Sequence, residues 1–345
     1  MLIIMKSNHT PEELSHVKGR AEKYNCEPIV LNGTFKVTIN LLGDDTKIDI
    51  NMFKQLEGVE DVIRVSSPYR LASRQFKKED TEITVRGVTY GPGRFVIMGG
   101  PCAVESADQT LRIARAVKKA GANVLRGGAY KPRTSPYAFH GMGEDGLKIL
   151  REASLETGLP VITEALDSKS LEMVYKYGDI IQIGTRNMQN FSLLREVGKL
   201  NKPVMIKRGM SATIDEWLLA AEYVLAGGNH QVMLCERGIR TFDAKYTRNV
   251  IDLGAIPVVK FLTHLPVVVD PSHGSGRKEN VPGMSLASLA VGAHSILVDV
   301  HDDAEQALCD GPQALTPKDF THIVEDCKRV AAALGVSIMD NSHQK

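Results

Sequence analysis

The feature that most restricts this chain is a rhythm that begins at Arg94. Short apolar runs alternate from there with helix-length amphipathic stretches: Phe95–Gly100, Asn123–Gly127, Pro160–Glu164, Asp179–Gly184, Pro203–Arg208, Gln231–Glu236, Pro266–Asp270 and Ser295–Val300. A run that is apolar at consecutive positions buries both faces of a strand, and strands of that kind separated by helices pair in parallel. Eight of them fit a closed (β/α)8 TIM barrel better than an open sheet. An open dinucleotide-binding sheet also needs a glycine-rich turn after its first strand, and "GGPCAVES" lacks the GxGxxG spacing. The weakest separator is Arg240 to His264, where an irregular loop precedes a short helical stretch.

The residues before the barrel follow a different order. Residues 1–68 read as strand "LIIM", helix "TPEELSHVKGRAEKYN", strand "EPIVL", strand "FKVTINLLG", helix "NMFKQLEGVE" and strand "DVIRV". This β-α-β-β-α-β order is ferredoxin-like, with Thr10 as N-cap and Pro11 at the first helical position. The polar, mixed-charge segment from Ser66 to Thr81 is the linker, placed at residues 69–81, and "ITVRGVTY" reads as one short strand at the start of the barrel unit, residues 82–345. The fold class expected is α/β, a TIM barrel behind a small α+β ferredoxin-like domain.

Charge and cysteine usage exclude several kinds of function. The chain carries 42 Lys and Arg against 41 Asp and Glu, a formal charge of +1, so no global field favours nucleic acid or a membrane surface. The apolar start "MLIIM" is too short for a signal-peptide core, and no run of about 18 apolar residues occurs, so a soluble, cytoplasmic protein is expected. Cys26, Cys102, Cys235, Cys309 and Cys327 are an odd, scattered set without CxxC, which argues against a disulfide framework. Cys235 and Cys327 read as inert core thiols, and Met210, Met233 and Met284 as core filling.

In a barrel the C-terminal strand ends converge on one face, so reading them in order lists the candidate site. They are polar. Arg126, Lys131, Arg133, Arg186, Lys207, Arg208 and Arg237 bring cations to one mouth of a nearly neutral chain, with Thr134 and Ser135 beside them. Arginine forks suit phosphate and carboxylate oxygens, and this number of cations calls for more than one anionic group. A second set, Cys102, His273, Asp299 and Asp310, comes from the first, seventh and eighth strands and the loop after the eighth, which are neighbours once the barrel closes. A thiolate, an imidazole and two carboxylates suit a divalent transition metal, with Mn2+, Fe2+, Co2+ or Zn2+ all open. His301 reads as capping the eighth strand.

At these residues the sequence resembles a known family. "GGPCAVES", "LRGGAYKPRTSPYAFHGMGEDGL", "ITEALD", "IQIGTRNMQNF", "IKRGM", "LCERGIRTF" and "VDPSHGSGR" are similar to 3-deoxy-D-arabino-heptulosonate-7-phosphate (DAHP) synthases. The subclass is the type I group related to Kdo-8-phosphate synthase, with an N-terminal ferredoxin-like regulatory domain. "KPRTS" separates it from Kdo-8-phosphate synthases, which carry a "KANRS"-like segment there.

The resemblance implies a transferase of the shikimate pathway that condenses phosphoenolpyruvate with erythrose 4-phosphate. It implies that Arg126, Lys131, Arg186, Lys207 and Arg237 hold phosphoenolpyruvate and that Arg133, Thr134 and Ser135 take the aldose phosphate. Cys102, His273, Asp299 and Asp310 would ligate the metal, Mn2+ first among the candidates, and Lys131 would transfer a proton with its pKa lowered by cationic neighbours. Cys102, His273 and Lys131 are thus the catalytic candidates. A homo-oligomer, tetramer or dimer, and an aromatic amino-acid effector are also implied. One position departs from the family: where it ordinarily has Glu in "EVH", this chain has Asp299 in "VDVH", shorter by about 1.5 Å of reach. Two further readings stay open, a related synthase acting on a different phosphorylated aldose and a catalytically weakened regulatory paralogue.

Overall fold

The computed structural model describes residues 1–33, 36–43, 45, 48–63 and 68–339. They fall into two compact units, Met1–Phe76 and Lys77–Lys345, so the division lies inside the segment read as the linker.

In the first unit the elements are β1 (Leu2–Met5), α1 (Pro11–Glu22), β2 (Glu27–Asn32), β3 (Val37–Leu42), α2 (Ile50–Lys54) and β4 (Val59–Ile63). The sheet order is β2-β3-β1-β4 with every neighbour antiparallel, as the ferredoxin-like reading requires. Alternation along β1 turns Ile3 and Met5 into a core that also holds Val17, Ile39, Leu41 and Phe53. The start of α1 is fixed by a capping box between Thr10 and Glu13 with Pro11 at the first turn, a cap of the kind that contributes about 1 kcal/mol. Helix α2 is shorter than "NMFKQLEGVE" suggested. Gly58, at φ +79°, turns the chain out of it, and Val59 and Glu60 already belong to β4. The tail of "DVIRV" and the start of the linker lie outside the described residues.

The second unit opens with a hairpin, β5 (Ile83–Val85) and β6 (Val88–Tyr90), where a single strand was expected. Arg86 and Gly87 both have positive φ, 46° and 85°, the geometry of a two-residue turn that matches strand twist. Eight parallel strands follow: β7 (Arg94–Gly100), β8 (Val124–Arg126), β9 (Val161–Ala165), β10 (Ile180–Ile183), β11 (Val204–Lys207), β12 (Val232–Glu236), β13 (Val267–Val269) and β14 (Ser295–Asp299). Each pairs with the next, and β14 pairs with β7 in a register that sets Asp299 opposite Gly100. The barrel is closed. The predicted strand bounds agree within a residue or two, and the weak separator does contain a helix, Ala255–Leu262.

The hairpin explains what seals one end. Ile83, Val85, Val88 and Tyr90 pack with the inward residues Val96, Met98, Val124, Ile162, Met205, Met233, Val268 and Leu297 as one apolar cluster. Tyr90 is fully buried and its hydroxyl reaches Met98 Sδ at 3.3 Å. With the interior filled, only the opposite mouth is free for chemistry. Cys235 lies inside this cluster and Cys327 inside the last helix, and burial raises both thiols, that of Cys327 to about 12, consistent with core roles.

Candidate active site

The residues just beyond the strand ends line a cleft of about 290 Å³. Arg126, Lys131, Arg133, Arg186, Lys207 and Arg237 are all in its wall, with Thr134 and Ser135. Arg208 is not. Successive side chains of a strand point to opposite faces, so Lys207 turns into the mouth while Arg208 turns outward. There it donates to Glu236 Oε2 at 2.9 Å and Asp252 Oδ2 at 3.0 Å and lies over the Trp217 ring. The cation that completes the wall is Arg248, from the irregular segment after β12, where no periodic pattern marks it. Met210 also lines the cleft instead of filling the core, and His301 stays outside it, against Gln109 Nε2 and Glu105 Oε2.

These cations are positioned by anions behind them. Arg126 Nη1 lies 2.9 Å from Asp299 Oδ1 and 2.8 Å from the carbonyl of Pro101. Lys207 donates to Asp270 Oδ2 at 2.5 Å. Arg237 differs: it is only 5% exposed, yet its Nη1 has no hydrogen-bond partner, and burial pulls its pKa down. Arg126 Nε is likewise unpartnered. Buried guanidinium N–H groups without partners are costly unless an anion arrives to accept from them. Glu164, the acid in the wall on the opposite strands, accepts from Gln182 Nε2 at 3.0 Å and fits only because residue 184 is glycine; a Cβ there would lie 1.9 Å from Glu164 Oε1.

The second set also converges. Cys102, His273 and Asp299 present donor atoms within 4.8 Å of one another, and so do Cys102, Cys309 and Asp310. The His273 ring divides them. Its Nδ1 faces Asp270 Oδ2 at 2.9 Å and Asp299 Oδ2 at 3.5 Å, while Nε2 faces Cys102 Sγ at 3.8 Å and Asp310 Oδ2 at 3.7 Å. Cys309 was not singled out from the sequence, although it adjoins Asp310; its thiol lies 3.6 Å from Cys102 Sγ. Gln313, also unforeseen, donates to Asp299 Oδ2 at 2.6 Å. Sulfur, imidazole and carboxylate donors gathered this closely fit a divalent transition ion.

Protonation follows from these neighbours. Burial works against a charged His273, but Asp270 and Asp299 outweigh it and raise the imidazole to about 9. The bond to Cys309 and burial hold the Cys102 thiol well above its usual range. Lys131 donates to Cys102 O at 3.0 Å and Cys102 Sγ at 3.2 Å. Burial alone would lower it, yet the Cys102 and Cys309 sulfurs and Glu164 raise it overall. The lowered lysine pKa expected from cationic neighbours is therefore reversed: Lys131 is an ammonium.

Residues 75–334 match the DAHP synthetase I family. The chain belongs to that family. Residues 1–67 match the DAHP synthase ferredoxin-like domain, in accord with the first unit's topology. The family's fold and the enzyme class read from the motifs thus hold together over nearly the whole chain. Phospho-2-dehydro-3-deoxyheptonate aldolase of Thermotoga maritima is 47% identical over 338 residues, covering 98% of this chain and 100% of that one. A crystal structure of the Thermotoga maritima DAHP synthase superposes with a TM-score of 0.79 over 98% of this chain and 99% of that one, at 47% identity. A 2-dehydro-3-deoxyphosphooctonate aldolase of Syntrophobacter fumaroxidans is 31% identical, covering 71% of this chain and 90% of its own. Among the described residues no helix is long and apolar enough to cross a membrane.

Proposed function

We propose that this DAHP synthase family enzyme condenses phosphoenolpyruvate with erythrose 4-phosphate, giving DAHP and inorganic phosphate. The observation that carries the reading is the cleft wall, in which seven cations face two acids, Glu164 and Asp310, and buried guanidinium N–H groups stand unpartnered. Two phosphates and a carboxylate supply the missing negative charge. The name and extent of the Thermotoga maritima relative support the four-carbon aldose over the substrate of the more distant octonate aldolases.

In this reading Arg126, Lys131, Arg186, Lys207 and Arg237 hold phosphoenolpyruvate, and Arg133, Thr134 and Ser135 hold the aldose phosphate. C3 of the enol attacks the aldehyde carbon, water adds at C2, and phosphate leaves with cleavage of the C2–O bond. Lys131, as the ammonium, donates a proton to the oxygen of the former aldehyde, and the proton lost by the adding water restores the balance. Cys102, His273, Asp299 and Asp310 are the proposed metal residues; a divalent transition ion held there, Mn2+ first among the candidates, supplies Lewis acidity to the aldehyde oxygen. Asp270 fixes the direction of both Lys207 and the His273 ring.

The first unit is proposed as a sensor for an aromatic amino acid, with subunit contact in a homo-oligomer, tetramer or dimer, as the competing role. A cytoplasmic location is part of the same proposal, since phosphorylated substrates of this class are made and used there. The test is phosphate release from phosphoenolpyruvate by purified protein. Release is expected only with erythrose 4-phosphate and Mn2+ together; equal or faster release with a five-carbon aldose phosphate would favour the related synthase, and none with any aldose the regulatory paralogue.

A further inference from the structure

We infer that Arg208 and Glu236 are positioning residues for phosphoenolpyruvate binding: from outside the cleft, they fix the backbone that aims Arg237 into it. The inference rests on the reading above that Arg237 holds phosphoenolpyruvate. The other buried cations of the cleft wall have partners that hold them, Asp299 for Arg126, Asp270 for Lys207 and the carbonyl and sulfur of Cys102 for Lys131. The buried Nη1 of Arg237 has none. Its direction therefore depends on its main chain, which is tied on both sides. The Glu236 carbonyl accepts from Asp270 N at 2.8 Å, and Glu236 Oε1 accepts from Gly238 N at 2.6 Å, so one glutamate bridges across Arg237. Gly238, at φ +91°, packs where a Cβ would lie 2.7 Å from Asn249 Cβ, which leaves the turn no room to shift.

Arg208 holds that bridge in place. Its Nη1 donates to Glu236 Oε2 at 2.9 Å and Asp252 Oδ2 at 3.0 Å, and its Nε donates to the carbonyl of Ala212 at 3.0 Å. One guanidinium thus joins the end of β12, the far end of the irregular segment that follows it and the loop after β11. Asp252 is anchored in turn, its Oδ1 accepting from Ala255 N at 3.0 Å at the start of the helix Ala255–Leu262. Glu236 is fully buried and burial raises its carboxyl, so the ionised form that serves both donors needs the Arg208 charge beside it. A planar fork reaches three acceptors that a single ammonium cannot. Arg248 enters the cleft from the same segment but has Asp310 and Gln313 to hold it, at 3.1 and 3.2 Å, so loosening the tie falls on Arg237.

The experiment is calorimetric titration of the full chain with phosphoenolpyruvate, together with the KM for erythrose 4-phosphate. Glu236→Gln leaves one carbonyl oxygen where two acceptors stood, and Arg208→Lys leaves one ammonium for three acceptors. Each should weaken phosphoenolpyruvate binding about tenfold, the worth of a displaced hydrogen bond to a charged group, and keep the aldose KM within about twofold. In an Arg237→Met chain neither substitution should weaken binding further, because the residue through which both act is gone. A further loss of the same size in that background, unchanged affinity in Glu236→Gln, or an equal rise in both substrates' constants would overturn the inference. If Arg208→Lys does not fold by circular dichroism, Glu236→Gln, which keeps the size and shape of the side chain, decides alone. Failure of the unaltered chain to bind phosphoenolpyruvate would instead overturn the substrate reading, and this inference with it.

Discussion

His273 and Arg237 set two expectations at the scale of single residues. With its pKa raised to about 9, His273 is an imidazolium at neutral pH in the metal-free protein, and Cys102 is a thiol. Both must lose a proton to bind an ion, so metal binding at pH 7 should release about two protons, and affinity should climb with pH through about 9 and continue to climb beyond it, because the Cys102 thiol lies well above its usual range. Calorimetry in buffers of different ionisation enthalpy measures that release; binding without pH dependence would remove His273 from the centre. The same shift has the opposite sign for the metal-free fold. A raised histidine pKa stabilises most below the unfolded value of 6.5, and that contribution is lost as pH rises through about 9. Arg237 carries the second expectation. Arg237→Met removes a buried guanidinium with an unpartnered Nη1, so thermal stability without substrate should hold or rise, while KM for phosphoenolpyruvate should increase about 10- to 100-fold, the worth of a hydrogen bond to a charged group. Unchanged KM would take Arg237 out of the substrate site.

At the scale of elements, two glycines separate support of the barrel from support of the site. A Cβ at Gly100 would lie 2.1 Å from the carbonyl oxygen of Arg126, a backbone atom in the neighbouring strand that cannot turn away. Gly100→Ala should therefore pry β7 from β8 and cost about 1–3 kcal/mol or more in a urea titration. At Gly184 the obstacle is the Glu164 carboxylate, a side chain that can move if it gives up Gln182. Gly184→Ala should fold with little loss and show weakened turnover; equal loss of stability in both variants would refute the distinction. The same alternation that sends Lys207 inward and Arg208 outward explains why strand-end cations are not interchangeable.

For the whole molecule, the division at Phe76/Lys77 and the hairpin that follows make a prediction about truncation. A chain starting at Lys77 keeps the hairpin and should retain phosphate release. One starting at Arg94 loses Ile83, Val85, Val88 and Tyr90 from the core, at about 1.5–3 kcal/mol for each large apolar side chain, a sum comparable with the total stability of a domain. It should be insoluble or unfolded by circular dichroism. Assays of the full chain and the Lys77 chain with tyrosine and phenylalanine address the first unit: inhibition that disappears on truncation supports sensing, and indifference with altered assembly supports subunit contact.

What the sequence determined by itself is local and repetitive. Both-face burial writes eight strands as continuous apolar runs, a capping box and Pro11 mark a helix start, and the motifs at the strand ends identify the family, because each signal lies within a few consecutive residues. Most of the cation wall was readable for the same reason. The tertiary structure alone decided which atoms meet. Arg86-Gly87 folds one apparent strand into the hairpin that closes the barrel, Arg248 enters from a segment without periodicity, and Lys131 is set against the carbonyl and sulfur of Cys102, 29 residues away. The position of Cys309 beside Cys102, 207 residues away, is likewise a product of barrel closure. Spacing along a chain carries no information about such distances until β14 pairs with β7 and fixes them.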